Sequence, residues 1–80
     1  MIDFEKALEK AKTFNKNLLV SVCSELKDSW IFGYSYTNGT PAFGIKPVRV
    51  MKDDGEAHEW DTMKHSKEFK EKFSREIELK

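Results

Sequence analysis

The spacing of hydrophobic positions divides this chain into a helical start, a β-rich middle and a helical end. Between Asp3 and about Asn15, apolar residues recur every three or four positions, at Phe4, Ala7, Leu8, Ala11 and Phe14. That spacing places them on one face of an amphipathic helix, for which Asp3 is a suitable N-cap. The short β-rich run from Leu18 to Ser24 then predicts a first strand.

An alternation of aromatic and smaller residues follows. An extended strand would present its four aromatic side chains on one face, these being Trp30, Phe32, Tyr34 and Tyr36. We expect this face to lie in the core, because a chain of 80 residues needs that apolar area to fold. Tyr34, Tyr36 and Trp60 are also candidates for its margin, because Tyr and Trp are common anchors of interfaces.

Turn signals divide the remainder of the middle section into two further strands. Asn38-Gly39 and Asp53-Asp54-Gly55 are typical of tight turns. Between them, the segment from Phe43 to Met51 predicts a third strand, either bulged at Pro47 or with that position facing solvent, since proline has no amide proton to donate. A short fourth strand is expected from Ala57 to Trp60.

The period changes again near the C-terminus. Phe69, Phe73 and Ile77 are spaced by four, which predicts a second helix from Ser66 to Ile77 with Ser66 as its N-cap. The expected fold is therefore a single α+β domain over residues 1–80. It comprises an N-terminal helix, a four-stranded antiparallel meander and a C-terminal helix, with both helices packed on one sheet face.

Charge and cysteine content limit the possible partners. Fourteen basic and fourteen acidic side chains balance, which gives no support for nucleic acid or an anionic membrane as the partner. Cys23 is the only cysteine, so no intrachain disulfide can form, and a reducing cytosol is the usual compartment. No apolar run approaches the ~20 residues that cross a bilayer, and the first residues lack the apolar region of a signal peptide. We expect a cytoplasmic protein.

The sequence offers little chemistry for catalysis. His58, His65 and Cys23 match no zinc-binding spacing, and no neighbour of Cys23 would activate its thiol. No enzyme activity, metal or cofactor is expected. The acidic residues of the last hairpin are explained by turn chemistry and a solvated edge, or alternatively by a patch for a basic partner. The candidate partner-binding residues are Tyr36, Asp53, Asp54, Glu56, Glu59, Trp60 and Asp61.

The order of short motifs resembles a known family. The motifs are Phe4-x-x-Ala7-Leu8, Trp30-x-Phe32-x-Tyr34, Gly44-Ile45-Lys46-Pro47-Val48-Arg49-Val50, Asp54-Gly55-x-x-His58, and Glu68-Phe69 with Phe73. In this order, from about Asp3 to Phe73, the chain resembles the immunity protein 35 (YrhB-like) family of bacterial polymorphic-toxin immunity proteins. The resemblance implies a protein that neutralises a cognate toxin by binding it, without catalysis and without active-site residues to assign.

Two other functions are compatible with the sequence. One is a generic interaction module, monomeric or weakly homodimeric, that uses a sheet edge or the aromatic face. The other is a small-ligand binder or minor enzyme with Tyr34, Tyr36, His58 and Trp60 lining a cleft.

Overall fold

The computed structural model describes residues 1–37, 40, 44–61 and 64–79, which form an α+β fold. The elements in chain order are helix α1 (Phe4–Phe14), strands β1 (Leu19–Leu26), β2 (Ser29–Ser35), β3 (Val48–Met51) and β4 (Ala57–Glu59), helix α2 (Ser66–Lys72) and strand β5 (Phe73–Ile77). The predicted Asn38-Gly39 turn and Phe43, the predicted start of the third strand, lie outside the described residues. Residues 44–47 are described and are not in a strand, so the third strand begins at Val48 and the expectation that it extends back through Pro47 is wrong.

All strands join one antiparallel sheet in the order β4-β3-β2-β1-β5. The predicted meander of β1 to β4 is confirmed, and a fifth strand extends it. The Asp53-Asp54-Gly55 turn is also confirmed. The Asp53 and Asp54 carboxylates accept backbone N–H bonds at 2.7 and 2.9 Å. Gly55 has a φ of 73°, which glycine adopts without the steric cost borne by other residues.

Helix α1 forms where the apolar spacing predicts it and covers one face of the sheet. The Asp3 side chain caps it by accepting a bond from the Lys6 amide at 2.9 Å. Ala7 and Ala11 are fully buried and pack with Trp30 and Phe32 of the aromatic strand. The Tyr34 hydroxyl donates to the Ala11 carbonyl at 2.7 Å. The face formed by Trp30, Phe32 and Tyr34 is therefore core, as expected, whereas Tyr36 lies beyond the end of β2, is 46% exposed and does not belong to the core.

A bulge in β1 decides which of its side chains face α1. The register shifts between Val20, which pairs with Tyr34, and Val22, which pairs with Gly33. Cys23 then lies opposite Phe32 in the α1 core, while Val22 is 54% exposed. Strict alternation along this strand would have placed Val20 and Val22 on the same face.

The predicted C-terminal helix is wrong at its N-cap, which is His65 and not Ser66, and in its second half. Helix α2 ends at Lys72, and Phe73–Ile77 instead forms β5, antiparallel to β1. The physical reason is the free edge of β1, whose unpaired backbone groups are satisfied by an added strand. The Arg75 side chain reinforces the pairing by donating to Glu25 at 2.7 Å.

The two helices also lie on opposite faces, which corrects the expectation of a shared face. Phe69 of α2 packs against Leu26, Ile31 and Trp60, whereas α1 packs against Trp30 and Phe32. Ile31 lies between Trp30 and Phe32 on β2, so its side chain points to the other side of the sheet. We call the face opposite α1 the far face.

Candidate protein-binding surface

Helix α2 covers only part of the far face. Beneath it, Leu26, Ile31 and Trp60 are buried and form a small apolar cluster with Phe69. Among the seven residues of α2, all of them described, none is buried. A helix this short and exposed has little intrinsic stability, so its position must be fixed by contacts with the sheet.

Four charged side chains hold α2 against the sheet, and we call them the ion cluster: Asp28, Arg49, Glu68 and Lys72. Nη2 of Arg49 lies 3.1 Å from Oδ1 of Asp28 and 3.0 Å from Oε2 of Glu68. Nζ of Lys72 contacts the same two carboxylates at 2.8 and 3.0 Å. Because Asp28 follows β1 and Arg49 belongs to β3, the cluster joins α2 to two separate parts of the sheet.

The cations of the cluster keep its carboxylates ionised. Burial works against ionisation of Asp28, but hydrogen bonds from Lys72, Ser29 and Arg49 outweigh it and lower the pKa of Asp28 to about 2. Hydrogen bonds from Lys72 and Arg49 also lower the pKa of Glu68, because together they outweigh the opposing effect of its partial burial. In turn, bonds to Asp28 and Glu68 raise the pKa of Lys72. The cluster is therefore charged throughout the neutral range.

Trp60 is part of this structural unit, because two side chains lie against its ring. The Arg49 guanidinium carbon is 4.6 Å from the ring centroid, and the His65 ring is stacked at 4.7 Å. Trp60 is only 2% exposed, and its Nε1 has no hydrogen-bond partner in the part of the chain that the structure describes. Its predicted role as a partner-binding residue is corrected: a side chain so buried offers a partner almost no surface.

Beside α2 the far face is open and forms an apolar groove. The first section of the groove has a volume of about 320 Å³, and its lining includes Val22, Gly33, Ile45, Pro47 and Phe69. Val22 is 54% and Ile45 is 41% exposed. The floor at Gly33 carries no side chain, and a Cβ placed there would lie 2.6 Å from Cγ2 of Val22. Glycine at this position lets Val22 lean over its neighbour.

A second section adjoins the first at the edge of the sheet, where it also reaches Ile77 and Leu79, two residues that pack against the α1 core. It has a volume of about 450 Å³ and shares Val22 with the first section; its other lining residues are Ser21, Glu76, Ile77, Glu78 and Leu79. We call the two sections together the open groove. Glu76 accepts a hydrogen bond from the Ser24 hydroxyl at 2.7 Å. Across the described ranges, neither Glu76 nor Glu78 forms an ion pair with a cation.

The residues predicted to bind a partner do not form a single patch. Asp53, Asp54 and Glu56 are exposed at the turn between β3 and β4. Glu59 and Asp61 lie at the opposite end of β4, where Asp61 is 3.9 Å from the Lys46 ammonium. Tyr36 follows β2 and is 46% exposed.

The alternative small-ligand cleft also loses its geometry. Tyr34 points into the α1 core and donates to Ala11, whereas Trp60 is buried on the far face. The two rings are thus separated by the sheet and cannot line one cleft.

Cys23 is fully buried, and burial together with the nearby Glu76 and Glu25 raises the pKa of its thiol to about 12. Such a thiol is protonated and unreactive at neutral pH.

Metal binding and membrane insertion can also be judged from the described residues. Within residues 1–37, 40, 44–61 and 64–79, no group of three or more His, Cys, Asp or Glu side chains is arranged to hold a metal ion. In the same residues, neither helix has the length and apolar character needed to span a bilayer. Comparison of the chain with protein-family models, with curated proteins and with solved structures found no match.

Sequence reasoning missed the open groove because its position depends on the bulge in β1. Val22 looks like a core residue because it alternates with Leu18 and Val20, and only the shift in register turns it outward. One signal was present in the sequence: a glycine within the aromatic strand, at Gly33, is typical of a bulge or a close approach.

Proposed function

We propose that this chain is a protein-binding domain that acts by occupying a partner's surface, without catalysis. The observation that carries the proposal is the open groove, with Val22 54% and Ile45 41% exposed. An 80-residue domain has few apolar side chains to spare from its core, so a groove lined by them indicates a binding surface.

The support beneath the groove suits this role. Phe69 forms one wall, and the ion cluster fixes the helix that carries it. Side chains held in place before binding lose less entropy when a partner docks, which favours affinity. The thiol of Cys23 is not an activated nucleophile, because burial raises its pKa.

The proposed biological role is immunity to a bacterial toxin, in which the partner is a toxin domain. This role is supported by the resemblance of the motif order to the immunity protein 35 (YrhB-like) family. This proposed role implies a cytoplasmic chain whose partner is a protein, the toxin, and neither nucleic acid nor a membrane. A free and buried Cys23 fits a reducing compartment.

A homodimerisation module is the second candidate, favoured by the outer edge of β5. Phe73 at this edge is 40% exposed, and β5 has a neighbour on one side only. Strands of this kind can pair with a second copy. Sedimentation velocity over a wide concentration range tests it: a monomer at every concentration would reject this candidate.

The immunity role is tested by co-expression with the proteins encoded beside this chain in its genome. We expect one neighbour to be toxic alone, to be tolerated when this chain is present, and to co-elute with it in gel filtration. A complex with a neighbour that is not toxic would retain protein binding and reject immunity. Absence of a complex with every neighbour would overturn the proposed role.

A further inference from the structure

The open groove crosses the strands, which sets the shape of what it accepts. It runs from β5 across β1 and β2 to Ile45 and Pro47 just before β3. Strands lie about 4.8 Å apart, so three spacings give a length of about 14 Å. A helix of about ten residues has this length at 1.5 Å per residue.

The groove offers side chains and very few backbone groups. Its floor is a sheet face, on which the amides and carbonyls of β1 and β2 are already paired with each other. A segment that covers it must therefore satisfy its own backbone hydrogen bonds. A helix does so, whereas an extended segment would need the free edge of the sheet.

Charge distinguishes the two ends of the groove. At the β5 end, the Glu76 and Glu78 carboxylates have no cation paired with them among the described residues. At the α2 end, Arg49 and Lys72 already neutralise Asp28 and Glu68. The unbalanced charge is thus negative and confined to one end, which is complementary to a cation on the occupant.

We propose that the open groove binds an amphipathic helix of a partner protein, with its apolar stripe on Val22 and Ile45 and a Lys or Arg beside Glu76 and Glu78. This inference rests on the proposed protein-binding function and assigns the partner element that it recognises.

A second apolar groove of about 340 Å³ lies between α1 and β4, where Phe14 is 43% exposed. That groove has two lysines and one glutamate on its walls, so its charge is the opposite of the β5 end.

The probe for this proposal is a phage-displayed library of 14-residue helix-favouring peptides, selected against the full 80-residue chain. We expect enrichment of peptides with apolar residues at helical spacing and a Lys or Arg near one end. When a selected peptide is added to the isotopically labelled protein, the amide NMR signals of Val22, Gly33 and Glu76 should shift. The signals of Phe14 and Ala57 should stay in place.

Matched variants then locate the site. Val22→Glu should weaken binding of the selected peptide at least tenfold, whereas Phe14→Glu, at a similarly exposed apolar position, should change it less than twofold. Reversing both charges with Glu76→Lys and Glu78→Lys should weaken binding about fivefold at low salt. Glu5→Lys with Glu9→Lys makes the same change in net charge on α1 and should have little effect. The signal shifts in the unsubstituted protein test the site even where Val22→Glu fails to fold.

Four outcomes of the experiments on the isolated chain would overturn the proposal: no enrichment, enrichment of peptides without a cation, binding that Phe14→Glu rather than Val22→Glu abolishes, or a concentration-dependent dimer that Val22→Glu dissociates. The last would make a second copy the occupant. A complex with a genomic neighbour that Val22→Glu leaves intact would reject the groove while retaining protein binding. Peptide binding without any neighbour complex would instead reject the immunity role.

Discussion

Arg49 is the residue on which the far face depends most. It is 8% exposed, donates to Ser29, Asp28 and Glu68, and lies against Trp60. A buried guanidinium is tolerated only when its donors are satisfied. Here the guanidinium also neutralises the two carboxylates with which it is paired, Asp28 and Glu68. Removing it would leave Asp28 and Glu68 facing each other with Lys72 as the only cation of the cluster.

We expect Arg49→Met to lower the free energy of unfolding by about 2–3 kcal/mol, less than for a fully buried pair because both carboxylates are partly solvated. Urea denaturation followed by tryptophan fluorescence measures this change. The control is Lys46→Met, which breaks an exposed pair with Asp61 at 3.9 Å and should cost less than about 0.5 kcal/mol. Equal losses in the two variants would contradict a special role for Arg49.

The dependence of folding stability on acidic pH should reflect the ionisation of Asp28. Its pKa is lowered to about 2 in the folded protein, so it contributes stability that is present above its ordinary pKa and lost as pH falls towards 2. Asp28→Asn should therefore be less stable than the unsubstituted protein at pH 7, with the difference shrinking between about pH 4 and pH 2. Thermal denaturation across this pH range is the measurement, and a constant difference would contradict the assignment.

At the scale of elements, β5 shows how a neighbouring strand overrides local spacing. Phe69, Phe73 and Ile77 have helical spacing, yet Ile77 pairs with Cys23 and contacts the α1 core. Pairing with β1 supplies backbone hydrogen bonds and a place for Ile77 that a solvated helix would not. Helix α2 ends at Lys72, the residue at which the ion cluster holds the helix against the sheet.

Two substitutions at Glu76 test whether β5 is a strand or a helix, because the two structures predict opposite orders of stability for the variants. Glu76 lies on β5 opposite Ser24 and is exposed. In a strand, Glu76→Thr should be more stable than Glu76→Ala by about 0.5 kcal/mol, because β-branched residues suit an extended backbone. In a helix, the order would reverse by a similar amount. Chemical denaturation of both variants decides between them.

The same comparison shows what sequence patterns can and cannot predict here. Helix α1 and the Asp53-Asp54-Gly55 turn follow from local spacing and turn chemistry, and the aromatic strand follows from alternation. The fifth strand and the far-face position of α2 depend on contacts distant in sequence, such as Cys23 with Ile77 and Arg49 with Glu68. The open groove depends on a one-residue bulge, for which Gly33 is only an indirect sign.

At the scale of the whole molecule, the sheet separates a large core from a small one. The α1 side buries Trp30, Phe32 and both alanines of the helix, whereas the apolar cluster buried on the far face comprises, among the described residues, Leu26, Ile31 and Trp60. Elements with few buried residues open at lower free energy than the rest of a domain. The segment from α2 through β5 has this character, since none of its described residues is buried.

We therefore expect the C-terminal segment to open without global unfolding. In native-state hydrogen exchange, the β5 amides should exchange with a free energy about 1–3 kcal/mol lower than those of β2. Arg49→Met should lower the value for β5 more than the value for β2, because the ion cluster fastens the adjoining helix while β2 is held by the α1 core. Identical exchange free energies in both strands would mean that the domain unfolds only as a unit. Since β5 and Phe69 line the open groove, a local opening here would also reshape the surface to which the proposed partner helix binds.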